Sequence, residues 1–199
     1  MDLLLATHNS GKVRELSVLF DSAAFGIISL ADIGIEHEVQ ETGITLEANA
    51  SLKASFYSRL SSMATISDDS GLEVSALGGA PGVNSARYAG NHATDSDKIE
   101  YLLTRLKNHG IGPWEAKFRC VIAIAWNQHD IELHVGECLG LIVDQQHGSA
   151  GFGYDPIFLI PELGKTMSEL SIEEKNQISH RGIASNKARR SLEMRLTKQ

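Results

Sequence analysis

The sequence predicts an α/β fold with a mixed β-sheet, and three observations point to this class. Apolar runs of strand length alternate with segments whose apolar residues recur every three or four positions, which is the helical period. Such alternation is typical of strands connected through helices. The two longest strand candidates, residues 115–126 and 131–143, are separated only by the polar residues 127–130, which suits a hairpin. A sheet with both kinds of connection combines parallel and antiparallel strands.

The first part of the chain alternates short apolar runs with helical patterns. Residues 2–6, 27–30 and 36–39 are predicted strands. Predicted helices cover residues 11–20 and 45–60, each with its apolar residues on one face.

The remaining elements continue this alternation. A buried strand is predicted at residues 64–67, and a long helix at residues 94–109. Further helices are predicted after Ser171 and, as a basic helix, from Ile183 onward.

Length, composition and charge restrict the class of protein. The chain has 199 residues, so we predict a single domain over residues 1–199. Its 22% charged and 42% hydrophobic residues exclude a disordered or fibrous chain, and the net charge of −7 disfavours nucleic-acid and membrane-surface partners. Neither a signal peptide nor an apolar run of 18 residues is recognisable, so a cytoplasmic location is expected. Cys120 and Cys138 form no CxxC pair and are expected to be buried thiols.

A short polar loop follows the first predicted strand and leads into the first helix. Its residues are Thr7, His8, Asn9, Ser10, Gly11 and Lys12. Small polar residues and a glycine allow backbone N–H groups to converge on an anion at a helix N-terminus, and Lys12 adds a full positive charge. The loop lacks the spacing of a Walker A motif, so phosphate binding and an ordinary polar turn both remain open.

Two adjacent carboxylates, Asp68 and Asp69, follow the strand predicted at residues 64–67. The end of a buried strand is where α/β folds bind ligands, and neighbouring carboxylates favour a divalent cation. Adjacent side chains of an extended segment point to opposite faces, so we expect these two acids to have different roles, with only one of them reaching the metal directly. A solvated acidic turn is the alternative.

Three further motifs allow a functional or a structural interpretation. Asn49 and Lys53 border the apolar stripe of their predicted helix and face either a polar cleft or solvent. The aromatic and glycine-rich segment 151–156 suits either base stacking or a tight turn with core aromatics. Lys175 and the segment 179–182 supply Lys, His and Arg side chains of the kind that bind phosphate.

Taken together, these segments resemble the inosine triphosphate pyrophosphatase family, also called the Ham1-like family. The matching text reads ATHNSGKVREL, ETG, SDDSGLEVSALGGAPGVNSARYAG, GFGYDPIF and SHRG, from Leu4 to about Ala184. The resemblance implies Mg²⁺-dependent hydrolysis of the deaminated purine nucleoside triphosphates ITP, dITP and XTP to the monophosphate and pyrophosphate. It also implies a homodimer and an ITPase-like fold, in which an elongated mixed β-sheet flanked by helices forms two lobes with a central nucleotide cleft.

The resemblance further implies roles for individual residues. Asp69 is the expected catalytic carboxylate, and Glu41 and Asp69 are the expected metal ligands. The expected contacts to the phosphates and nearby parts of the substrate are Thr7, His8, Asn9, Ser10, Gly11, Lys12, Lys53 and Ser70. The expected base pocket and remaining nucleotide contacts are Phe152, Gly153, Tyr154, Asp155, Lys175, His180 and Arg181.

Two departures from the family pattern bear on these roles. His8 stands where glycine is common, so it either restricts the loop or donates to a phosphate. Ala48 stands where glutamate is frequent, which puts a metal-binding role of that position in doubt. Two other functions remain as alternatives. A phosphomonoesterase would be expected to show DxD spacing, which DDSG lacks, and a non-catalytic nucleotide-sensing module has no need of the acidic pair.

Overall fold

The computed structural model describes residues 1–22 and 24–197, and its first elements alternate as the sequence predicts. Strand β1 (Asp2–Leu5) is followed by helix α1 (Ser10–Leu19) and strand β2 (Gly26–Ser29). Strands β1 and β2 pair in parallel, which the intervening helix makes possible.

The segment at residues 36–39 is not a strand, so that prediction was wrong. Its backbone groups instead bond to Tyr57 of helix α2 (Leu46–Ser61). The Tyr57 hydroxyl donates to the carbonyl oxygen of His37 at 2.8 Å and accepts from the N–H of Val39 at 3.4 Å. Because a side chain bonds to these backbone groups, they do not require a partner strand.

Strand β3 (Thr65–Val74) is longer than the strand predicted at residues 64–67. It continues because Leu72 and Val74 are fully buried and extend the apolar face beyond the polar residues. The acidic pair therefore lies inside the strand, and the prediction that it follows the strand was wrong.

The middle of the chain contains helix α3 (Asp95–Leu106) and two long strands, β4 (Trp114–Asn127) and β5 (Asp130–Ile142). The predicted helix ends three residues early, because Lys107–His109 form a 3₁₀ turn. Strands β4 and β5 are neighbours in the sheet and are joined by a short turn, as the hairpin prediction requires.

The last elements are two short strands and two helices. Strands β6 (Phe158–Ile160) and β7 (Lys165–Thr166) were not predicted, because two or three residues are too few to show the alternation of apolar and polar residues that indicates a strand. Helix α4 (Ile172–Ile178) begins after Ser171 as predicted, and helix α5 (His180–Leu196) begins before the predicted Ile183.

The seven strands form one sheet in the order β2–β1–β3–β4–β5–β6–β7. The pairs of β1 with β2 and with β3 are parallel, whereas the pairs of β6 with β5 and with β7 are antiparallel. The predicted α/β class with a mixed sheet flanked by helices is therefore confirmed.

The chain divides into two compact units, each with its own core. The described residues of the first unit are 1–22, 24–69, 120–136 and 181–197, and the second unit contains residues 70–119 and 137–180. Large members of the first core include Leu3, Leu16, Phe20, Ile66, Ile122 and Leu192. Large members of the second core include Leu72, Trp114, Phe118, Tyr154, Phe158 and Met167.

Cys120 and Cys138 are free and buried, which confirms that prediction. Among the described residues, no helix combines the length and the apolar character needed to cross a bilayer.

Candidate active site

The polar segment at residues 7–12 follows strand β1 of the first unit, and its last three residues form the first turn of helix α1. Asn9 is the N-cap of the helix, because its side-chain oxygen accepts from the N–H of Lys12 at 3.0 Å. The N–H of Asn9 in turn donates to the Thr7 hydroxyl at 3.2 Å. The predicted strand–loop–helix arrangement is confirmed, and the loop carries the positive end of the helix dipole.

His8 fits this loop without the conformational freedom of glycine. Among the described non-glycine residues only Ser62 has a positive φ, so the backbone of His8 is unstrained. Its Nε2 lies 3.3 Å from the Tyr57 hydroxyl and 3.3 Å from the carbonyl oxygen of His37. The His8 side chain thus connects the loop to helix α2 and to the segment that leads to Glu41.

Asp68 is the centre of a buried ion-pair network in the first unit. Its Oδ2 lies 2.9 Å from Lys12 Nζ and 3.5 Å from Arg181 Nε. Arg181 is 2% exposed and also pairs with Glu15 of helix α1, with 2.6 Å between Nη1 and Oε2. Burial by itself would raise the pKa of Asp68, but Lys12 and Arg181 keep that pKa well below its ordinary value. Asp68 is therefore a fixed anion that balances two cations.

Asp69, on the other face of strand β3, has a different partner. Its Oδ1 lies 3.4 Å from Lys53 Nζ, and the same ammonium group lies 2.5 Å from Glu41 Oε1. The other oxygen of Asp69, Oδ2, is buried and accepts no hydrogen bond from the described residues. The two adjacent acids thus pair with different cations, as the alternation of side chains along a strand allows.

Burial and charge shift the pKa values of the Asp69 cluster. Burial raises the pKa of Asp69, and the attraction of Lys53 and Lys12 does not fully offset it because Glu41 and Asp68 repel the ionised form. Burial would lower the pKa of Lys53, but Asp69, Asp68 and Glu41 raise it above its ordinary value. The result is a carboxylate with increased basicity beside a firmly charged ammonium group.

Helix α2 positions Lys53 and the segment around Glu41. Lys53 is only 9% exposed and points to acids, so the alternative in which it reaches solvent was wrong. Asn49, fully buried on the same helix, accepts from the N–H of Gly43 at 2.7 Å. Ala48 lies in the first turn of α2, where its N–H donates to the N-cap Thr45. Asn49 and Lys53 therefore have buried polar partners, and the polar cleft stays a prediction.

The acids of this cluster can supply some, but not all, of the ligands of a hard divalent cation. Within the described residues, no group of three His, Cys, Asp or Glu side chains is arranged as a metal site. Glu41 and Asp69 share Lys53 as a counter-ion, and Asp69 Oδ2 retains its acceptor capacity. Mg²⁺ is usually bound in proteins through one or two carboxylates, with water and phosphate oxygens as the other ligands. These two residues fit that pattern when a phosphate supplies the rest.

The second unit contains the glycine-rich segment 151–156. The carboxylate of Asp155, 3% exposed, accepts from Lys175 Nζ at 2.7 Å and from the N–H of Phe152 at 2.9 Å. Gly151 has φ +79°, and a Cβ there would collide with Asp155 Oδ2. Lys175 Nζ also lies 5.5 Å from the centroid of the half-buried Phe152 ring.

His180 and Ser70 also belong to the second unit. The His180 ring, 4% exposed, stacks on Phe118 with 4.7 Å between centroids and 14° between planes. Ser70 is half-buried and directly follows Asp69 in strand β3. Lys175 thus contacts the glycine-rich segment and His180 packs on Phe118, whereas Arg181 lies in the ion-pair network around Asp68.

Sequence reasoning missed several residues that shape these sites. Glu15 pairs with Arg181, and Tyr57 bonds to His8. Phe118 stacks on His180, and Asp95 accepts a hydrogen bond from the glycine-rich segment. Helical spacing places Glu15 and Lys12 on one face of α1, which was the only available signal for Glu15. The other contacts join residues far apart in the sequence.

The chain is similar to known proteins over almost its whole length. The model described as "Ham1 family" matches residues 3–191. The dITP/XTP pyrophosphatase of Bacillus subtilis (strain 168) is 42% identical over 192 residues, which cover 96% of this chain and 97% of that protein. The dITP/XTP pyrophosphatase of Methylococcus capsulatus is 47% identical over 184 residues, with 92% and 91% covered. A HAM1 protein from Coxiella burnetii matches with a TM-score of 0.89 at 36% identity, with 98% and 99% covered.

Proposed function

Since this chain belongs to the Ham1 family, we propose that it hydrolyses the deaminated purine nucleoside triphosphates ITP, dITP and XTP to the monophosphate and pyrophosphate. The observation that supports this most directly is the Asp69 cluster. It combines a buried carboxylate of raised pKa, one of whose oxygens accepts no hydrogen bond from the described residues, with Lys53 and a second carboxylate, Glu41. Relatives at 42% and 47% identity are named dITP/XTP pyrophosphatases.

In this proposal Asp69 is the general base. It accepts a proton from the water that attacks the α-phosphorus, and the raised pKa of Asp69 suits a base better than that of an ordinary surface carboxylate. The water oxygen bonds to the α-phosphorus as the bond to the bridging oxygen breaks. Pyrophosphate then leaves with the bonding electrons.

The polar loop and two lysines bind the phosphates in this proposal. The N-terminus of α1 contributes backbone N–H groups, and Lys12 and Lys53 contribute positive charge. Asp68 holds Lys12 in position through their 2.9 Å ion pair. The net negative charge of the whole chain does not prevent phosphate binding, because local charges determine the field at the site.

Glu41 and Asp69 are the residues that would hold Mg²⁺. A bound Mg²⁺ would neutralise phosphate charge and polarise a phosphoryl oxygen. Lys53, which both carboxylates contact, would then be released to pair with phosphate oxygens.

The segment 151–155 binds the base in this proposal, and the Phe152 ring stacks on the purine. Selection acts at the purine 6-position, where hypoxanthine and xanthine present an oxo group beside an N1–H donor. Adenine presents an amino group beside an acceptor. Backbone groups near His180 that match the oxo pattern would leave buried polar groups unpaired with adenine, which disfavours ATP.

The direct test is to assay the purified protein with Mg²⁺ and to measure pyrophosphate release from ITP, dITP, XTP, GTP and ATP. We expect kcat/KM for dITP and XTP to exceed that for ATP by about 100-fold or more, because each buried polar group left unpaired by adenine costs about 1–3 kcal/mol. Release of orthophosphate would indicate a phosphomonoesterase instead. Binding without turnover would indicate a sensing module. The same proposal includes a homodimer and a cytoplasmic location, which light scattering and cell fractionation test.

A further inference from the structure

The glycine-rich segment is anchored from outside as well as from within. Inside the segment, the Asp155 carboxylate accepts from the N–H of Phe152 at 2.9 Å. The Tyr154 hydroxyl donates to the carbonyl oxygen of Ser85 at 3.0 Å. The N–H of Gly153, next to the Phe152 ring, donates to Oδ2 of Asp95 at 2.7 Å. Asp95 is therefore a side chain outside the segment that bonds to the backbone beside Phe152.

Asp95 is well suited to keep this bond. It is the first residue of helix α3, and its other oxygen, Oδ1, lies 2.5 Å from Lys98 Nζ one helical turn later. Burial opposes ionisation of Asp95, but the bonds from Lys98 and from the Gly153 N–H lower its pKa, so the carboxylate is charged at neutral pH. A charged acceptor makes the bond to Gly153 stronger than a neutral one would be.

The segment needs such an anchor because its backbone is intrinsically flexible. Gly151 and Gly153 both have positive φ, at +79° and +63°, and they flank Phe152. Glycine loses more conformational freedom than other residues when it is fixed in one conformation. The orientation of the Phe152 ring therefore depends on contacts that hold the neighbouring peptide groups.

We propose that Asp95 is a positioning residue for base binding: it fixes the N–H of Gly153 and thereby orients the Phe152 ring toward the purine. This inference rests on the proposed function for its substrate, but its structural part does not depend on turnover. Asp95 touches neither substrate nor reacting atoms in this account. Its loss should weaken purine binding while the chemical step is largely unaffected.

The chain offers a matched control two residues away. Asp97 lies in the same first turn of α3, but its carboxylate accepts from the N–H and hydroxyl of Thr94 in a capping box, at 2.8 and 2.7 Å. Asp97→Ala removes one acid near the same helix N-terminus and leaves the bond to Gly153 intact. Asp95→Asn keeps an oxygen that can accept from Gly153 but loses the charge that attracts Lys98.

The experiment measures two quantities on the full-length wild type and on Asp95→Ala, Asp95→Asn and Asp97→Ala. Hydrogen exchange of the peptide covering residues 150–156 is followed by mass spectrometry on the protein alone. Binding of inosine monophosphate is measured by calorimetry. We expect faster exchange and an about tenfold weaker Kd in Asp95→Ala, the scale of one lost hydrogen bond to a charged group. We expect an intermediate result in Asp95→Asn and wild-type values for both quantities in Asp97→Ala.

Two results would overturn the inference: unchanged exchange in Asp95→Ala, or faster exchange with an unchanged Kd. Equal effects of Asp95→Ala and Asp97→Ala would also overturn it, because helix destabilisation would then be the cause. Failure of the proposed function can be distinguished from failure of this inference. A wild-type protein that binds inosine monophosphate but releases no pyrophosphate from dITP contradicts the reaction and leaves the positioning role standing.

Discussion

Replacement of Arg181 by methionine should destabilise the protein far more than the loss of an ordinary surface ion pair. The guanidinium group is 2% exposed and lies between two carboxylates, 2.6 Å from Glu15 and 3.5 Å from Asp68. Methionine fills much of the same volume but leaves both acids with one fewer counter-charge. The perturbation therefore tests whether Arg181 is primarily part of the buried network.

The expected magnitude follows from this burial. Removing one partner of a buried ion pair costs about 3–5 kcal/mol, because the remaining charge cannot regain its hydration. For a chain of this length, about 1 kcal/mol shifts Tm by about 2–4 °C. The Tm of Arg181→Met should therefore fall by roughly 6–20 °C, as measured by circular dichroism at pH 7.

Arg195→Met is the matched control on the same helix, α5. Arg195 has a side chain that is 36% exposed, pairs with Asp130 and Glu132, and lies over the Trp126 ring. Ion pairs of this exposure are screened by solvent and contribute little to stability, so the Tm of Arg195→Met should fall clearly less than that of Arg181→Met. Equal Tm losses in the two variants, or a loss below about 3 °C in Arg181→Met, would show that burial does not make the ion pairs of Arg181 important for stability.

Two further outcomes are expected in the first unit. Lys53→Ala removes the cation shared by Glu41 and Asp69. The kcat/KM for dITP should fall by about 10- to 100-fold, because a hydrogen bond between the lysine and a charged phosphate is lost. An unchanged kcat/KM would contradict a phosphate-binding role of Lys53. Burial would raise the pKa of Glu132, but hydrogen bonds from Ser191, Arg195 and Trp126 lower it below the reference of 4.5. A lowered folded-state pKa gives stability that is present above pH 4.5 and lost as pH falls through the folded-state value. The Tm difference between wild type and Glu132→Gln should therefore shrink between pH 7 and pH 3, and a constant difference would contradict this assignment.

The sequence contains enough information to predict the fold class and much of the local chemistry. Alternation along strand β3 is sufficient to give Asp68 and Asp69 separate partners, because the side-chain period of a strand is a local property. Helical spacing likewise places Asn49 and Lys53 on one face, and the structure shows that this face is polar and buried.

Other features depend on partners that local patterns do not reveal. The segment at residues 36–39 is a predicted strand, yet its backbone bonds to the side chain of Tyr57. The length of strand β3 depends on burial of Leu72 and Val74 in a core assembled from distant elements. Arg181 suggested a substrate contact by its motif, and only the tertiary structure shows its pairing with Glu15.

The bond from Gly153 to Asp95 illustrates the same limit in the second unit. In the local sequence, Asp95 is an acid in the first turn of a helix. Its favourable interaction with the helix dipole is enough to explain an acid at that position. Its contact with a loop far along the chain is a tertiary feature, and so is the stacking of His180 on Phe118. Both contacts join residues that no short motif connects.

Asp69 is proposed as the base of a pyrophosphate-releasing hydrolysis. The most direct test compares the rate of pyrophosphate release from dITP between wild type and Asp69→Asn at saturating Mg²⁺, with circular dichroism as a check on folding. Loss of a positioned general base should lower kcat by about 100- to 10,000-fold in a variant that remains folded. A folded Asp69→Asn variant that releases pyrophosphate at close to the wild-type rate would contradict the claim.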